Sequence, residues 1–260
     1  MKILVVGAGY IGKNFAEYAS QRFTIDTTDS REGWKEKKFE NYSAVIFAAG
    51  IAHRKQTKEN AQSYFAVNRD LAVAVAEKAK HAKVPQFIYL SSMAVFGKKE
   101  GEISAHTKPN PRHNDNYGTS KFDAENALTN LQNTDFKVAI IRPPMVYGEN
   151  CPGKYRQLVK IATYMPLIPC NKNKRSVIYI DNLSEFLCTV ISNRASGIFH
   201  PQNDEHVSTS DLIVQIRREN GKNTRTFSAG LLLHLCGVIF PPVKTAFSTL
   251  YYSKEGEREK

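Results

Sequence analysis

The chain has 260 residues, and its 42% hydrophobic and 23% charged fractions are typical of a folded globular protein and argue against extended disorder. Its 36 Lys and Arg residues exceed its 25 Asp and Glu residues, giving a formal net charge of +11. The basic residues are interspersed with acidic ones and form no recognisable nucleic-acid module. We therefore expect part of the charge to attract a small anionic substrate, and no nucleic acid as a partner.

Cysteine spacing and hydropathy indicate the cellular compartment in which the protein is expected to work. The cysteines are Cys151, Cys170, Cys188 and Cys236, which lack the short paired spacings of zinc or redox sites. We predict no metal and a reduced, cytoplasmic environment, because the N-terminus also lacks the pattern of a signal peptide. The longest apolar run, AGLLLHLCGVIFPPV from Ala229, contains His234 and ends in two prolines. It predicts a packed or surface helix and no membrane span, with peripheral membrane contact as the alternative.

Short apolar segments alternate with amphipathic segments through the first 150 residues. The predicted strands cover residues 2–6, 23–27, 44–49, 87–92 and 136–141. The predicted helices cover residues 10–21, 60–82 and 119–132. Strands that are buried on both faces and separated by helices indicate an α/β protein with a doubly wound parallel sheet, the Rossmann fold.

The pattern changes near Pro143 and Pro144. We predict a dinucleotide-binding Rossmann domain at residues 1–150, followed by a small C-terminal substrate-binding lobe at residues 151–245. The lobe is predicted to contain short helices and one strand, SVIYI. The prediction allows some of its elements to cross back to the main sheet. The charged end of the chain predicts a flexible tail over residues 246–260.

The first strand is followed directly by GAGYIG, a G-x-G-x-x-G pattern at the start of a helix. Glycines at these places allow a tight turn and a close approach of the backbone, and the helix N-terminus offers N–H groups to a pyrophosphate. The bland alternative is a glycine turn that only joins strand to helix. We predict that this segment binds a dinucleotide through Gly7, Gly9, Tyr10, Ile11 and Gly12.

An acidic residue at the end of the second strand of such a fold accepts hydrogen bonds from the adenosine ribose. Asp29 lies at this place, and Asp26 is the alternative if the strand is shorter. Either aspartate could instead be a turn residue. Ser30 and Arg31 follow, and an arginine can bind the 2′-phosphate of NADP. The sequence therefore favours NAD and leaves NADP open.

The triad of Ser92, Tyr117 and Lys121 suggests proton transfer beside the cofactor. Ser91 and Ser92 end the fourth strand at the carboxyl edge of the sheet, where ligands bind in this fold. Tyr117 stands four positions before Lys121, which places both on one face of a helix. A phenol has a pKa near ~10, and an adjacent ammonium favours its ionised form. This chemistry predicts Tyr117 as a general acid and base that Lys121 tunes.

Taken together, these motifs resemble the extended short-chain dehydrogenase/reductase family, in its nucleotide-sugar epimerase and dehydratase branch. The resemblance covers residues 1 to about 215. It rests on GAGYIG, the AAG of residues 48–50, Asn68, SSMAVFG, YGTSK, RPPMVYGEN and RSVIYIDNL, which occur in the family's order and spacing. The likeness extends to small bacterial members of surface-polysaccharide pathways, which act on UDP-N-acetylhexosamines or their 4-keto derivatives.

The resemblance implies an enzyme that reduces a 4-keto group or epimerises C4 of a UDP-hexose or UDP-N-acetylhexosamine. It implies that Ser92 binds the sugar oxygen that becomes a ketone. The implied cofactor contacts add Ala48, Ala49, Gly50, Asn68, Tyr117, Lys121 and Pro143 to the glycine segment and Asp29. The implied substrate contacts are Ser92, Arg175, Lys154 and Tyr155. The alternative is a catalytically silent NAD(P)-binding sensor or scaffold, against which the intact triad argues.

Two departures from the family pattern restrict the chemistry. Met93 and Ala94 replace the acidic pair that eliminates water in the 4,6-dehydratases, so we expect no dehydratase. Met145 stands where many UDP-galactose 4-epimerases have an asparagine, which argues against their usual phosphate contacts. His53 and His113 lie in predicted loops, and we interpret them as solvated side chains.

Small residues in two helices suggest assembly. The segments LAVAVAEKA and DAENAL leave faces flat enough for another helix to approach closely. In the resembled family the matching helices pair across a two-fold axis, so we predict a homodimer. The alternative is that these alanines only allow the helices to pack on their own sheet.

Overall fold

A computed structural model describes residues 1–52, 56–112, 115–164, 167–228 and 247–254. The interpretations of His53, His113 and the apolar run from Ala229 lie outside the described residues. The strands are β1 (Lys2–Val6), β2 (Thr24–Thr28), β3 (Ala44–Phe47), β4 (Gln86–Leu90), β5 (Gly101–Ile103), β6 (Lys137–Ile141), β7 (Met145–Tyr147), β8 (Leu167–Cys170), β9 (Val177–Tyr179), β10 (Gly197–Phe199), β11 (Arg225–Ser228) and β12 (Leu250–Tyr252). The helices are α1 (Tyr10–Ala19), α2 (Gly33–Glu36), α3 (Ala61–Phe65), α4 (Leu71–His81), α5 (Asn116–Leu131), α6 (Lys154–Tyr164), α7 (Ile180–Ser192) and α8 (Thr209–Glu219).

The centre of the protein is a six-stranded sheet in the order β10, β6, β4, β3, β1, β2. Every pair of neighbours in it is parallel, which confirms the predicted doubly wound α/β class. Strands β3 and β4 are buried along their whole length. Helices α4 and α5 pack together over one side of these strands, and α1 and α7 form a second packed pair in the same unit. The carboxyl ends of β1, β3, β4 and β6 therefore meet at one edge.

The predicted helix at residues 60–82 consists of three consecutive segments. Helix α3 passes into a π-helical segment at Ala66–Asp70, which passes into α4. A π-helical turn adds a residue to the helix and rotates the residues after it, and such turns often occur at functional sites. Here the turn contains Asn68.

Helix α5 begins at Asn116, ahead of the predicted residue 119, so Tyr117 and Lys121 both lie within it. The Asp115 side chain caps this helix by accepting a hydrogen bond from the Gly118 amide at 3.2 Å. Gly118 is also required by packing, since a Cβ there would lie 2.9 Å from the carbonyl oxygen of Ala94. Glycine thus allows α5 to approach the segment that follows β4.

The chain forms two compact units, and neither is continuous in sequence. The first contains residues 1–97, 109–144 and 178–201, and the second contains residues 98–108, 145–177 and 202–260. The predicted division has a single boundary at residue 150, whereas each observed unit contains three separate segments of the chain. Strand β10 belongs to the first unit because it extends the main sheet beside β6. The second unit has its own core, formed by Leu158, Ala162, Ile168, Leu212, Ile213 and Ile216.

The prediction of a flexible tail is wrong for Leu250–Tyr252. These residues form β12, which pairs in parallel with β5, and Tyr252 is 2% exposed. The backbone hydrogen bonds of the pair and the burial of the Tyr252 ring stabilise this segment despite the charged residues after it. Within the described part of the chain, no helix has the length and apolarity needed to cross a bilayer.

Candidate active site

The turn between β1 and α1 has a backbone that only glycine fits well. Gly7 adopts a φ of 114°, and its amide donates a hydrogen bond of 2.9 Å to the carbonyl of Thr28. A methyl group on Gly7 would overlap the backbone of Ala49, and one on Gly12 would overlap the carbonyl oxygen of Gly7. Both glycines therefore hold β1, β3 and α1 in close contact.

Gly9 differs from these two glycines. Gly9 is the N-cap residue of α1 and has no side chain to bond the N–H groups of the first turn. A Cβ built on it has nothing within 4 Å apart from its own chain neighbours. The N-terminus of α1 thus faces a space that the described residues leave open, with the N–H groups of its first turn available to an anion. These features fit the pyrophosphate of a dinucleotide bound along Gly9, Tyr10 and Ile11.

The two candidate ribose ligands have different surroundings. Oδ2 of Asp26 interacts with Tyr42 Oη, with Lys2 Nζ at 3.2 Å and with Lys37 Nζ at 3.3 Å. The Tyr42 hydrogen bond and these cations lower the pKa of Asp26 to about 2. Asp26 is therefore occupied within a structural cluster, which argues against it as the ribose ligand.

Asp29 is exposed just beyond the end of β2. Its Oδ1 accepts hydrogen bonds from the amides of Arg31 at 2.7 Å and Glu32 at 3.1 Å, which lower the pKa of the carboxyl group. These bonds fix the carboxylate at the beginning of α2. Asp29 is thus ionised and oriented at the place where the fold expects the ribose.

Ser92, Tyr117 and Lys121 are brought to one end of the sheet. Ser92 follows β4 and caps a short 3-10 helix, Met93–Phe96, by accepting a hydrogen bond of 3.2 Å from the Ala94 amide. Interaction with the Ser92 side chain acts to lower the pKa of Tyr117. The Met93 amide donates to the carbonyl of Pro143 at 3.0 Å, which ties this segment to the end of β6.

Lys121 is 3% exposed, and its Nζ donates a hydrogen bond of 2.7 Å to the carbonyl of Leu90. The same atom lies 4.6 Å from the centre of the Tyr89 ring. Burial lowers the pKa of Lys121 to about 7, although the nearby Glu125 carboxylate acts in the opposite direction. The proton on this ammonium is therefore held weakly for a lysine.

Burial raises the pKa of Tyr117 above its ordinary value, and the hydrogen bond to Ser92 partly opposes this shift. Tyr117 is thus a neutral phenol at pH 7 in the free protein. Partial ionisation requires additional positive charge nearby, and a bound cationic ring would supply it.

Asn68 supports the site from behind. It is 0% exposed, and its amide group bonds the backbone of Ile51 in both directions, at 2.8 and 3.1 Å, and the hydroxyl of Ser120 at 3.0 Å. The predicted direct contact between its side chain and the cofactor is therefore not supported. Asn68 instead connects α5 to the segment after β3, where a Cβ on Gly50 would lie 3.3 Å from Lys121 Nζ.

A buried ion pair that the sequence reasoning missed lies next to the triad. Arg142, at the end of β6, places Nη2 2.6 Å from Oε2 of Glu125, and the two side chains are 5% and 3% exposed. The Ser91 hydroxyl donates to the same carboxylate. Glu125 continues the four-residue spacing of Tyr117 and Lys121 along one face of α5, and this spacing was a signal that could have identified it.

His200 completes the surroundings of Arg142. Its Nε2 lies 3.4 Å from Arg142 Nη1, and its ring packs edge-on against Phe96. Burial and the neighbouring guanidinium lower the pKa of His200 to about 4, so the ring is neutral at pH 7. Arg142 also lies over the Phe96 ring at 5.1 Å. The Glu125 carboxylate is thus an anion that pairs with Arg142, while His200 adds no charge.

The other predicted substrate residues belong to the second unit. Arg175 forms a backbone bridge with Val207 and donates from Nη1 to the carbonyl of Ser248 at 2.9 Å. Burial lowers its pKa. Lys154 and Tyr155 begin α6, and the Tyr155 ring lies 5.7 Å from that of Tyr147. Arg175 and the α6 pair therefore lie on separate elements of this unit.

Comparisons with known proteins agree with this architecture. A UDP-glucose 4-epimerase of Vibrio cholerae is 28% identical over 232 residues, which are 83% of this chain and 70% of that protein. An N-acetyl-α-D-glucosaminyl-diphospho-ditrans,octacis-undecaprenol 4-epimerase of Escherichia coli O157:H7 is 23% identical over 244 residues, 85% of this chain and 72% of that protein. In the described residues, no group of three His, Cys, Asp or Glu side chains could hold a metal ion.

A solved structure extends the likeness of the fold. The UDP-glucuronic acid 4-epimerase of Bacillus cereus, in complex with NAD, superposes with a TM-score of 0.74 at 19% identity and covers 98% of this chain and 90% of its own. The model of the NAD dependent epimerase/dehydratase family matches residues 3–200. The resemblance noted from the motifs, the enzyme class and the use of a nicotinamide cofactor are confirmed at the level of the family. The chain belongs to the NAD dependent epimerase/dehydratase family.

Proposed function

We propose that this enzyme acts at C4 of a UDP-hexose or UDP-N-acetylhexosamine, either by 4-epimerisation or by reduction of a 4-keto group. The observation that carries the proposal is the position of Tyr117 on α5 one helical turn before Lys121, whose buried ammonium bonds the Leu90 carbonyl at the end of β4, next to Ser92. The names of the Vibrio and Escherichia relatives, both 4-epimerases, support the position on the sugar. The place of the reaction is the cytoplasm, in the synthesis of surface-polysaccharide precursors.

Each residue of the triad has a separate task. Tyr117 accepts the proton of the sugar 4-hydroxyl, or returns it when a ketone is reduced. Ser92 donates a hydrogen bond to the same sugar oxygen and holds it beside the phenol. Lys121 lowers the cost of charge on Tyr117 and binds the ribose next to the nicotinamide. Its low pKa also allows the ammonium to give up a proton near pH 7.

Residues of the glycine turn and of the sheet edge hold the cofactor. The amides of Gly9, Tyr10 and Ile11 bind the pyrophosphate, and Asp29 binds the adenosine ribose. Bound NAD supplies the oxidation and reduction of the sugar carbon. Gly7, Gly12, Ala48, Ala49, Gly50 and Pro143 form the surface against which the cofactor lies.

Residues of the second unit hold the nucleotide part of the substrate. Arg175 binds the diphosphate, because a planar guanidinium forms two parallel hydrogen bonds to a phosphate. Its hydrogen bond to the carbonyl of Ser248 restricts its orientation. Lys154 and Tyr155, at the first turn of α6, are assigned to the same nucleotide.

Substitution of Tyr117 tests the proposal. Tyr117→Phe removes the proton-transferring hydroxyl and should lower kcat on a UDP-sugar by about 100-fold or more. Tyr164→Phe is a matched control, since Tyr164 is 81% exposed on α6 and should leave kcat unchanged. Unchanged turnover in Tyr117→Phe would contradict this role. NADH binding by a wild-type protein that converts no UDP-sugar would favour the alternative, a catalytically silent NAD(P)-binding sensor or scaffold.

Cofactor consumption separates the two reactions. A 4-keto reductase consumes one NAD(P)H for each sugar, so absorbance of the reduced cofactor falls in proportion to product. A 4-epimerase returns the cofactor to its starting state, and the absorbance stays constant while the sugar is converted. The two share every residue assigned above, so this measurement and not mutagenesis distinguishes them.

The enzyme is also proposed to be a homodimer. Helices α4 and α5 pack together, and Val73, Ala74 and Leu131 are only partly covered by the core of their own unit. Partly uncovered apolar side chains on neighbouring helices suit a two-fold contact with the same helices of a second chain. Light scattering should give the mass of two chains, and Ala74→Arg should give one chain that still binds NADH. A wild-type mass of one chain would refute the proposal.

A further inference from the structure

The second unit exposes two large apolar side chains close together in the chain. Tyr164, the last residue of α6, is 81% exposed, and Leu167, the first residue of β8, is 47% exposed. The other large apolar residues exposed in the described part of the chain are Met1, Tyr179 and Ile198, which lie on separate elements. Tyr164 and Leu167 are three positions apart in the chain, and an exposed tyrosine with an exposed leucine suits the boundary between water and a less polar phase.

Three cations lie on or next to the elements that carry these side chains. Lys160 is exposed one helical turn before Tyr164 on α6. Lys222 donates from Nζ to the carbonyl of Thr163 at 3.0 Å, which places it at the same end of the helix. Arg225 is the register partner of Leu167 in the pairing of β8 with β11. We call Lys160, Tyr164, Leu167, Lys222 and Arg225 the α6–β11 patch.

The charge of the patch is of one sign. Its five members include three cations and no carboxylate, and α6 itself contains Lys154, Arg156 and Lys160 without an acidic residue. Long basic side chains around aromatic and aliphatic ones are a combination found at membrane surfaces, where the cations meet phosphates and the apolar groups enter the headgroup boundary. After β11 the sequence continues into AGLLLHLCGVIF, the longest apolar run in the protein.

We propose that the α6–β11 patch binds the surface of a bilayer containing anionic phospholipids, with Tyr164 and Leu167 in the headgroup region and the three cations against lipid phosphates. This contact is peripheral, and it goes beyond the proposed sugar chemistry without depending on it. Lipid phosphate, and not free phosphate, is the partner, because the free ion would leave Tyr164 and Leu167 in water. The contact would keep the enzyme at the membrane face.

Sedimentation with vesicles tests the proposal. The full chain should bind vesicles of phosphatidylcholine mixed with phosphatidylglycerol, and bind pure phosphatidylcholine at least about tenfold more weakly. Lys160→Glu with Arg225→Glu should lower the partition coefficient on anionic vesicles by about 25-fold or more, since each basic residue near such a surface contributes about fivefold. Lys222 is kept in this variant because it bonds the end of α6.

Two further variants separate the possible causes. Lys38→Glu with Lys83→Glu changes the net charge equally on exposed residues of the first unit and should leave vesicle binding unchanged. Tyr164→Ser with Leu167→Ser keeps all charges and should weaken binding by about fivefold or more. All of these side chains are exposed, so circular dichroism should show folded proteins, and Gln replaces Glu in any charge variant that does not fold.

Several results would overturn the proposal. The chain could fail to bind anionic vesicles, or both charge variants could lose binding equally, which would indicate general attraction by net charge. Full binding by the Tyr164→Ser, Leu167→Ser variant would indicate phosphate recognition without membrane insertion. Binding of single-stranded RNA that depends on the patch, without vesicle binding, would identify a nucleic acid as the partner.

Discussion

Replacement of Glu125 by Gln should destabilise the enzyme strongly. Glu125 is the anion that faces Arg142, with 2.6 Å between Oε2 and Nη2 and both side chains almost completely buried. The neighbouring His200 is neutral at pH 7 and lacks the charge to replace it. Glu125→Gln keeps the size of the side chain and removes the charge. The buried guanidinium then loses the carboxylate that contacts its Nη2.

The expected magnitude follows from this burial. Removing one partner of a buried ion pair costs about 3–5 kcal/mol of unfolding free energy, because the remaining charge stays desolvated. For a chain of this size, about 1 kcal/mol corresponds to roughly 2–4 °C in Tm, so we expect a fall of about 6–20 °C. Thermal unfolding followed by circular dichroism measures it.

Two comparisons make the test specific. Glu185→Gln removes the carboxylate of an exposed pair with Arg22, whose side chains are 44% and 51% exposed, and should cost about 1 kcal/mol or less. Adding Arg142→Met to Glu125→Gln removes both buried charges and should restore part of the lost stability. Equal losses of Tm in Glu125→Gln and Glu185→Gln would refute the reasoning.

Three other predictions concern the site. Gly9→Ala should fold normally, because the added Cβ meets only open space at the N-terminus of α1, yet it should weaken NADH binding at least about tenfold in calorimetry. Gly12→Ala should instead lower Tm in thermal unfolding, because its Cβ would overlap the carbonyl oxygen of Gly7. Asp29→Ala should weaken NADH binding more than NADPH binding, and tighter binding of NADPH by the wild type would move the ribose contact to Arg31. Lys121 has a pKa of about 7 when folded, below the usual value near 10.5, so the unfolded chain binds more protons between these values. Stability should therefore rise from about pH 7 towards pH 10, and Lys121→Met should lose this rise in urea unfolding; an unchanged slope would contradict it.

The fold was predictable because strand burial and glycine spacing are local properties of the sequence. All five predicted strands of the sheet agree with observed strands within two residues, and GAGYIG covers the turn after β1 and the first three residues of α1. The sixth strand, β10, was missed because Gly197–Phe199 is only three residues long and Ile198 is exposed. The π-helical turn around Asn68 was also missed, since no residue type specifies it and tertiary contacts select it.

The site was predictable in its motifs and less so in its long-range contacts. Tyr117 and Lys121 are four residues apart, so the helix alone brings them together. The Glu125–Arg142 pair joins residues from α5 and β6, and neither residue type indicates its partner. The choice between Asp26 and Asp29 likewise required the positions of Lys2, Lys37 and Tyr42. The tasks proposed for the individual residues stay predictions until substitutions test them.

One face of α5 connects stability to chemistry. Tyr117, Lys121 and Glu125 follow one another at four-residue spacing, and each interacts at the end of the sheet with the segment that contains Ser91 and Ser92. Burial of the Lys121 ammonium is costly, and the carboxylate of Glu125 one turn later reduces that cost. Loss of Glu125 should therefore lower the pKa of Lys121 further as well as unfold the protein more easily. A neutral Lys121 would no longer favour an ionised Tyr117. Glu125, which stabilises the protein through its ion pair with Arg142, therefore also supports the charge of Lys121 on which proton transfer depends.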